Sequence, residues 1–311
     1  MNTQINLLVL LGPTASGKTR LAVEAARRVQ GEIVSADSRQ VFRGMDIGTG
    51  KDLEEYGEVP CHLVDIVDAG QEYSVFEFQR DCFAALEEIW SRGRMPVLVG
   101  GTGLYLEAVL KGYHMVEVPE DPQLRAELES LDDAALRERL VALRPEQHNR
   151  SDLEQRERLV RAIEIAEGTE KASAHLPPLP ELQPLIYGLR WPRDLLRKRI
   201  TLRLKERLEH GMIEEVETLH AGGVTWDALE FYGLEYRFIA QHLQGELNRN
   251  DMFQKLNSAI HQFAKRQDTW FRRMERQGFE IRWLEASADP LAELRADLLH
   301  NGLVEGGAGL L

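Results

Sequence analysis

Cysteine is almost absent. The two present, Cys61 and Cys82, have no metal-type spacing. This excludes a disulfide framework and a cysteine zinc site, and the simplest expectation is a reduced, cytoplasmic protein. Long apolar runs are missing too. None approaches the roughly 18 residues needed to cross a bilayer, so no membrane partner is expected. Met1 to Leu11 lacks a basic lead and a cleavage site, so it reads as a first strand and not as a signal peptide. His62, His148 and His175 are scattered and make no metal cluster. Positive charge is in deficit, with 38 Lys and Arg against 51 Asp and Glu and a net charge of −13. Taken alone, that balance argues against a nucleic-acid partner. No internal repeat is evident.

What is present describes an ordinary globular chain, 43% hydrophobic and 29% charged over 311 residues. That length suits a main domain plus a smaller second one. The charge is unevenly spread. Arg190, Arg193, Arg197, Lys198, Arg199, Arg203, Lys205 and Arg207 stand against only Asp194 and Glu206 in one stretch. Lys265, Arg266, Arg272, Arg273 and Arg276 form a second basic cluster. Acidic residues gather elsewhere, around Asp52 to Glu58 and Glu127 to Asp133. Local patches govern phosphate binding, whereas the sum bears on solubility.

Ile5 to Leu11 predicts a buried strand, Lys18 to Val29 a helix capped at Gly31, and Glu32 to Ala36 a second strand. Tyr73 to Arg92 has helical spacing, and Pro96 to Val99 is a third apolar run. Alternating strands and helices imply an α/β fold, a P-loop parallel sheet flanked by helices. From Asp121 to Gly168 the pattern is helical throughout, predicting an inserted all-helical subdomain. His175 to Pro184 is a Pro-rich connector, and Leu185 to Trp191 returns to the sheet. Arg193–Leu219, Trp226–Leu243 and Met252–Gln277 predict three long helices, Phe279–Leu284 a last strand, and Gly302–Leu311 a frayed tail. The expected division is a catalytic core at 1–120 and 185–311 with the insert at 121–175.

Gly12-Pro13-Thr14-Ala15-Ser16-Gly17-Lys18-Thr19 satisfies the G-x-x-x-x-G-K-[ST] pattern, with a strand before it and a helix after. Its backbone N–H groups and helix N-terminus suit an anion, Lys18 adds a point charge, and Thr19 offers a hydroxyl to Mg²⁺. Such a loop ordinarily marks a nucleotide- or ATP-binding protein. Here the third strand ends in Gly100-Gly101-Thr102-Gly103, without the Mg²⁺-binding Asp usual in kinases and hydrolases. The second strand ends at Asp37, where strand ends in parallel sheets meet ligands. Asp37 is either a general base or a turn cap. Arg199, Arg203 and Arg207 share one helix face, which is either a solvated face or a phosphate clamp. Ala264 to Arg272 mixes cations, including Lys265 and Arg266, with Trp270 and Phe271. The block suits nucleic-acid contact, or else the aromatics are core and the cations solvated.

Taken together, GPTASGKT (Gly12–Thr19), SADSRQVFRGMDIGTGK (Ser35–Lys51), VGGTGLY (Val99–Tyr105), RLVRAIEI (Arg158–Ile165), the Arg197–Val216 helix and AKRQDTWFR (Ala264–Arg272) resemble the tRNA dimethylallyltransferase (tRNA isopentenyltransferase) family. The segments lie in family order and span nearly the whole chain. The resemblance implies transfer of a dimethylallyl group from dimethylallyl diphosphate to N6 of the adenosine at tRNA position 37, next to the anticodon, with release of diphosphate. It implies that Lys18, Arg203 and Thr19 with Mg²⁺ stabilise the leaving group, that Asp37 is the base, and that Thr102 lies beside the reacting centre. It places tRNA contacts at Asp37, Ser38, Arg39, Gln40, Thr102, Arg125, Arg158, Arg161 and Arg237, with the insert gripping the anticodon stem-loop. The expected partners are that stem-loop and dimethylallyl diphosphate, and the expected state is a monomer.

Phe231 to Arg237 departs from the family's usual I-G-Y-(K/R)-E segment, Cys61 stands where His is common, and IHQFAKRQ replaces a TRxxAKRQ pattern. No Cys/His zinc finger follows the core, so the bacterial type is expected. An adenylate isopentenyltransferase acting on AMP or ATP is the first rival reading, and a P-loop small-molecule kinase the second.

Overall fold

The computed structural model describes residues 4–113, 118, 120–143, 156–172 and 178–304. His148, His175, residues 173–177 of the connector and residues 305–311 of the tail lie outside them.

The strands are β1 (Leu7–Leu11), β2 (Glu32–Ala36), β3 (Phe42–Arg43), β4 (Cys61–His62), β5 (Val67–Asp68), β6 (Pro96–Gly100), β7 (Pro184–Arg190) and β8 (Ile281–Glu285). Six form one sheet in the order β4-β2-β6-β1-β7-β8, and every pairing in it is parallel. β1, β2 and β6 are buried at all five positions. β1 and β6 read as continuous apolar runs because helices cover both faces of a parallel sheet, and β2 carries Glu32 and Ser35 among its buried positions. β3 and β5 make a separate parallel pair with Phe42 opposite Val67. These short strands escaped the sequence because two residues carry no periodicity.

The helices on the core are α1 (Lys18–Val29), α2 (Val75–Ser91) and α3 (Gly103–Leu110). The insert holds α4 (Pro122–Glu129), α5 (Asp133–Leu143) and α6 (Arg156–Ala172). The C-terminal part holds α7 (Arg193–Glu209), α8 (Met212–Ala221), α9 (Trp226–Phe231), α10 (Leu234–Leu243), α11 (Arg249–Arg276) and α12 (Pro290–His300). α1 buries Leu21, Ala22, Val23, Ala25 and Ala26. It ends with Gln30 in the left-handed conformation at φ 51°, and not with the expected Gly31. Gly31 answers a packing need instead, since a Cβ there would lie 2.4 Å from the Met95 carbonyl oxygen. α2 starts from a reciprocal cap between Ser74 and Glu77.

Where three long C-terminal helices were expected, five occur. The first expected helix breaks before Gly211 (φ 100°) and the second at Gly233 (φ 138°), a backbone conformation that side-chain-bearing residues rarely adopt. α12 was not anticipated. It is capped by Asp289 and buries Leu294 and Leu298 in the cluster formed with α1 and the sheet. Among the described residues no helix is long and apolar enough to cross a membrane.

The chain divides into two compact units, Met1–Lys111 with Glu181–Leu311, and Gly112–Pro180. The smaller unit is helical. Its core is Leu128, Leu136, Leu140, Leu159 and Ile163. Glu164 is buried in it and accepts hydrogen bonds from Arg125 (2.9 and 3.0 Å), Arg161 (2.8 Å) and the Asp121 backbone N–H (2.8 Å). Burial would raise the Glu164 pKa, but the Arg125 and Arg161 bonds outweigh it and hold the group at about 2.

Candidate active site

Four neighbouring strands deliver their carboxyl ends to one place. Gly100 of β6 pairs with Ala36 of β2 on one side and Leu11 of β1 on the other, and Leu11 pairs with Gly188 of β7. The segments that follow are Asp37–Gln40, Gly101–Gly103, the P-loop, and Trp191–Pro192 leading into α7.

In the P-loop, Ala15 (φ 60°) and Gly17 (φ 88°) are left-handed, which curls the backbone into an anion-binding concavity at the start of α1. The Ser16 hydroxyl is buried there and has no hydrogen-bond partner. Thr19 is half-buried, one residue into α1. Burial is the main cause that lowers the Lys18 pKa to about 8. Asp37 opposes it, and the charges of Arg203 and Arg207 add to it.

α7 supplies a wall of cations. Arg203 Nη2 donates to the Thr14 hydroxyl at 2.6 Å, and Arg199 Nε donates to the Ala15 carbonyl at 3.0 Å. Arg199 also stacks on Trp191 at 4.5 Å, and the Trp191 indole N–H donates to the Ser16 carbonyl at 2.9 Å. Arg207 lies 3.6 Å from Asp52 and presses its Nη2, which has no hydrogen bond, against Gly50. Burial, then the Arg207 charge, pushes Arg203 down to about 10. A small cavity behind the loop is lined by Thr14, Arg203, Arg207 and Glu235 among others. The helix therefore has two basic faces. Arg199 and Arg203 bond the P-loop and Arg207 reaches Gly50 and Asp52, while Arg197, Lys198 and Lys205 are exposed on another side.

Asp37 follows β2, and its Oδ1 accepts the Arg39 backbone N–H at 2.9 Å, so it caps its own turn while also facing Lys18. Thr102 Oγ1 accepts the Ser38 N–H at 3.2 Å, which ties the two loops and leaves the hydroxyl hydrogen available to donate. Gln40 is buried between Ser35 and Gly50, with both ends of its amide engaged inside the protein.

The expected RNA-facing residues divide. Arg158, Arg237, Lys265 and Arg266 are exposed, whereas Arg125 and Arg161 are committed to Glu164. In the aromatic block, Phe271 is core, and Trp270 packs so closely on Gly103 that a Cβ there would lie 2.3 Å from its ring. Gln267, Trp191 and Glu235 were missed as site residues. Gln267 was legible only as part of the AKRQDTWFR block. Among the described residues no group of three His, Cys, Asp or Glu could hold a metal ion.

The fold and site define a P-loop α/β enzyme core in which a carboxylate, Asp37, follows β2 and none follows β6 directly. Residues 40–274 match the IPP transferase family. The chain is 67% identical to tRNA dimethylallyltransferase 2 of Syntrophotalea carbinolica, over 93% of this chain and 97% of that protein. It is 64% identical to tRNA dimethylallyltransferase 1 of Geotalea uraniireducens, over 96% and 98%. The solved tRNA isopentenylpyrophosphate transferase of Bacillus halodurans superposes with a TM-score of 0.71 at 33% identity, covering 96% of this chain and 97% of that one. A eukaryotic dimethylallyltransferase acting on tRNA shares the fold, with a TM-score of 0.77 at 24% identity. The chain belongs to the IPP transferase family.

Proposed function

We propose that the protein transfers the dimethylallyl group of dimethylallyl diphosphate to N6 of adenosine 37 in the tRNA anticodon loop, releasing diphosphate. The relatives' names support the reaction and the RNA. The observation that carries the donor half is the curled P-loop, with left-handed Ala15 and Gly17 and a buried, partnerless Ser16 hydroxyl, near enough to Arg203 and Arg207 for their charges to act on Lys18. No carboxylate follows β6, so the kinase reading lacks its metal ligand.

In this reading the allylic C–O bond breaks and its electron pair leaves with the diphosphate. The P-loop N–H groups, Lys18 and Arg203 stabilise that developing charge. A bond forms between N6 and the allylic carbon, and Asp37 accepts the amine proton. The Thr102 hydroxyl, already fixed against Ser38, steadies the reacting groups. An exocyclic amine is a weak nucleophile, so positioning contributes strongly, and the adenine must leave its stack to arrive. Mg²⁺ suits the hard oxygen set of the Thr19 hydroxyl and a diphosphate, where it would offset negative charge. The stem-loop is held by the helical insert, and the enzyme acts as a monomer.

The test is purified protein with Mg²⁺ and labelled dimethylallyl diphosphate, offered total tRNA or free AMP and ATP. Label is expected in tRNA. Label in AMP and none in tRNA overturns the reading.

A further inference from the structure

Phe231 is the most solvent-exposed of the large apolar side chains among the described residues, at 67%. A single exposed apolar residue needs no explanation in itself, but three observations set this one apart. First, its backbone is anchored. It is the last residue of α9, and the next residue, Tyr232, is buried, with its hydroxyl donating to the Gln71 carbonyl at 2.9 Å and accepting the Gly70 N–H at 2.6 Å. The following residue, Gly233, turns the chain at φ 138° into α10. Second, the Arg39 guanidinium lies 5.8 Å from the centre of the Phe231 ring. An arginine over a ring is the flat, cationic pairing on which unstacked bases also settle. Third, Arg39 leads straight to the chemistry. Its backbone N–H is the one held by Asp37 Oδ1 at 2.9 Å.

Arg39 therefore stands between Phe231 and the carboxylate proposed as base, its guanidinium over the ring and its backbone N–H on that carboxylate, while Phe231 is offered to solvent. Extracting one base from an RNA loop leaves its neighbour without a stacking partner. An exposed aromatic face on anchored backbone beside the site can replace that partner, and it tolerates any base because every base has a π-face.

We propose that Phe231, backed by Arg39, is a stacking platform for the nucleobase next to the adenosine being modified. This rests on the RNA-modifying reading above, and the experiment separates the two. Wild-type protein that fails to modify tRNA at all would sink that reading, whereas the platform is judged only by comparison of variants.

Phe231 is exposed, so Phe231→Ala should melt like the wild type. Loss of one stacked base should raise its KM for tRNA by roughly fivefold to a hundredfold, with the KM for dimethylallyl diphosphate unmoved. Phe231→Trp should restore the tRNA KM. Phe231→Leu, apolar but without a π-face, should not. An anticodon stem-loop carrying 2-aminopurine beside the target adenosine should be quenched on binding the wild type and Phe231→Trp, and not on binding Phe231→Ala. A wild-type tRNA KM in Phe231→Ala, or a leucine variant equal to the wild type, overturns the platform.

Discussion

The side-chain oxygen of Gln267 accepts the backbone N–H of Thr14 at 2.8 Å. The amide nitrogen of the same side chain donates to the Gly101 carbonyl at 2.9 Å. One residue of α11 thus fastens the P-loop to the turn after β6. Space there is tight, and a Cβ on Gly101 would lie 2.5 Å from Gln267 Nε2 and 3.5 Å from Lys18 Nζ. Gln267 is 6% exposed, so its partners have little water to fall back on.

Gln267→Ala should therefore strand the Thr14 N–H and the Gly101 carbonyl. Leaving a buried polar group unpaired costs about 1–3 kcal/mol. The expected result is a lower melting temperature together with a donor KM raised by about tenfold or more, read by calorimetry and initial rates. An unchanged donor KM would show that the P-loop holds its shape without this tether.

Asp37 combines a cap with the role of base proposed above, and two substitutions separate them. Asp37→Asn keeps an oxygen for the Arg39 N–H but cannot take a proton. Turnover should fall by roughly 10²–10⁴, while tRNA binding, measured by filter retention, stays at the wild-type level. Asp37→Ala should lose turnover as well and also loosen the turn. Near-normal turnover in Asp37→Asn would remove the residue from proton transfer.

Lys18 fixes a pH limb. Its pKa is lowered to about 8, chiefly by burial, so it is a cation below that pH and neutral above it. The kcat/KM for the donor reports the free enzyme and should fall as pH rises through about 8. Lys18→Arg, which keeps its charge, should be slower but lose that limb. A wild-type profile that stays level well beyond this pH would argue against a charged Lys18 as donor ligand.

Glu164 governs the acid stability of the insert. Its folded pKa of about 2 lies below the ordinary 4.5. Its contribution is therefore complete above about 4.5, declines as acid is added, and is gone below about 2. The stability difference between wild type and Glu164→Gln should shrink over that window, followed by hydrogen exchange in residues 112–180. Arg125→Ala and Arg161→Ala should weaken tRNA use partly by loosening this unit, since both side chains are spent on Glu164.

The sequence alone determined a good deal. α1 and β2 begin and end where the apolar spacing placed them, because turn residues and the P-loop punctuate that stretch. The cradle, Asp37 and Thr102 were legible because each lies directly after a strand, and in a parallel sheet the strand ends share one edge. The family was legible from blocks of contiguous residues. Other features were decided only in three dimensions. Spacing put Arg199, Arg203 and Arg207 on one face but could not say whether that face met water or the P-loop. In the fold Arg199 and Arg203 bond the P-loop at Ala15 and Thr14, whereas Arg207 turns to Gly50 and Asp52. Gln267 acts across 253 residues of chain, and its role has no local signature. The breaks at Gly211 and Gly233 were hidden because apolar spacing continues across a turn when both flanking helices bury residues in the same core. Local pattern records what each segment prefers, whereas burial, charge pairing and reach depend on what the fold places opposite it.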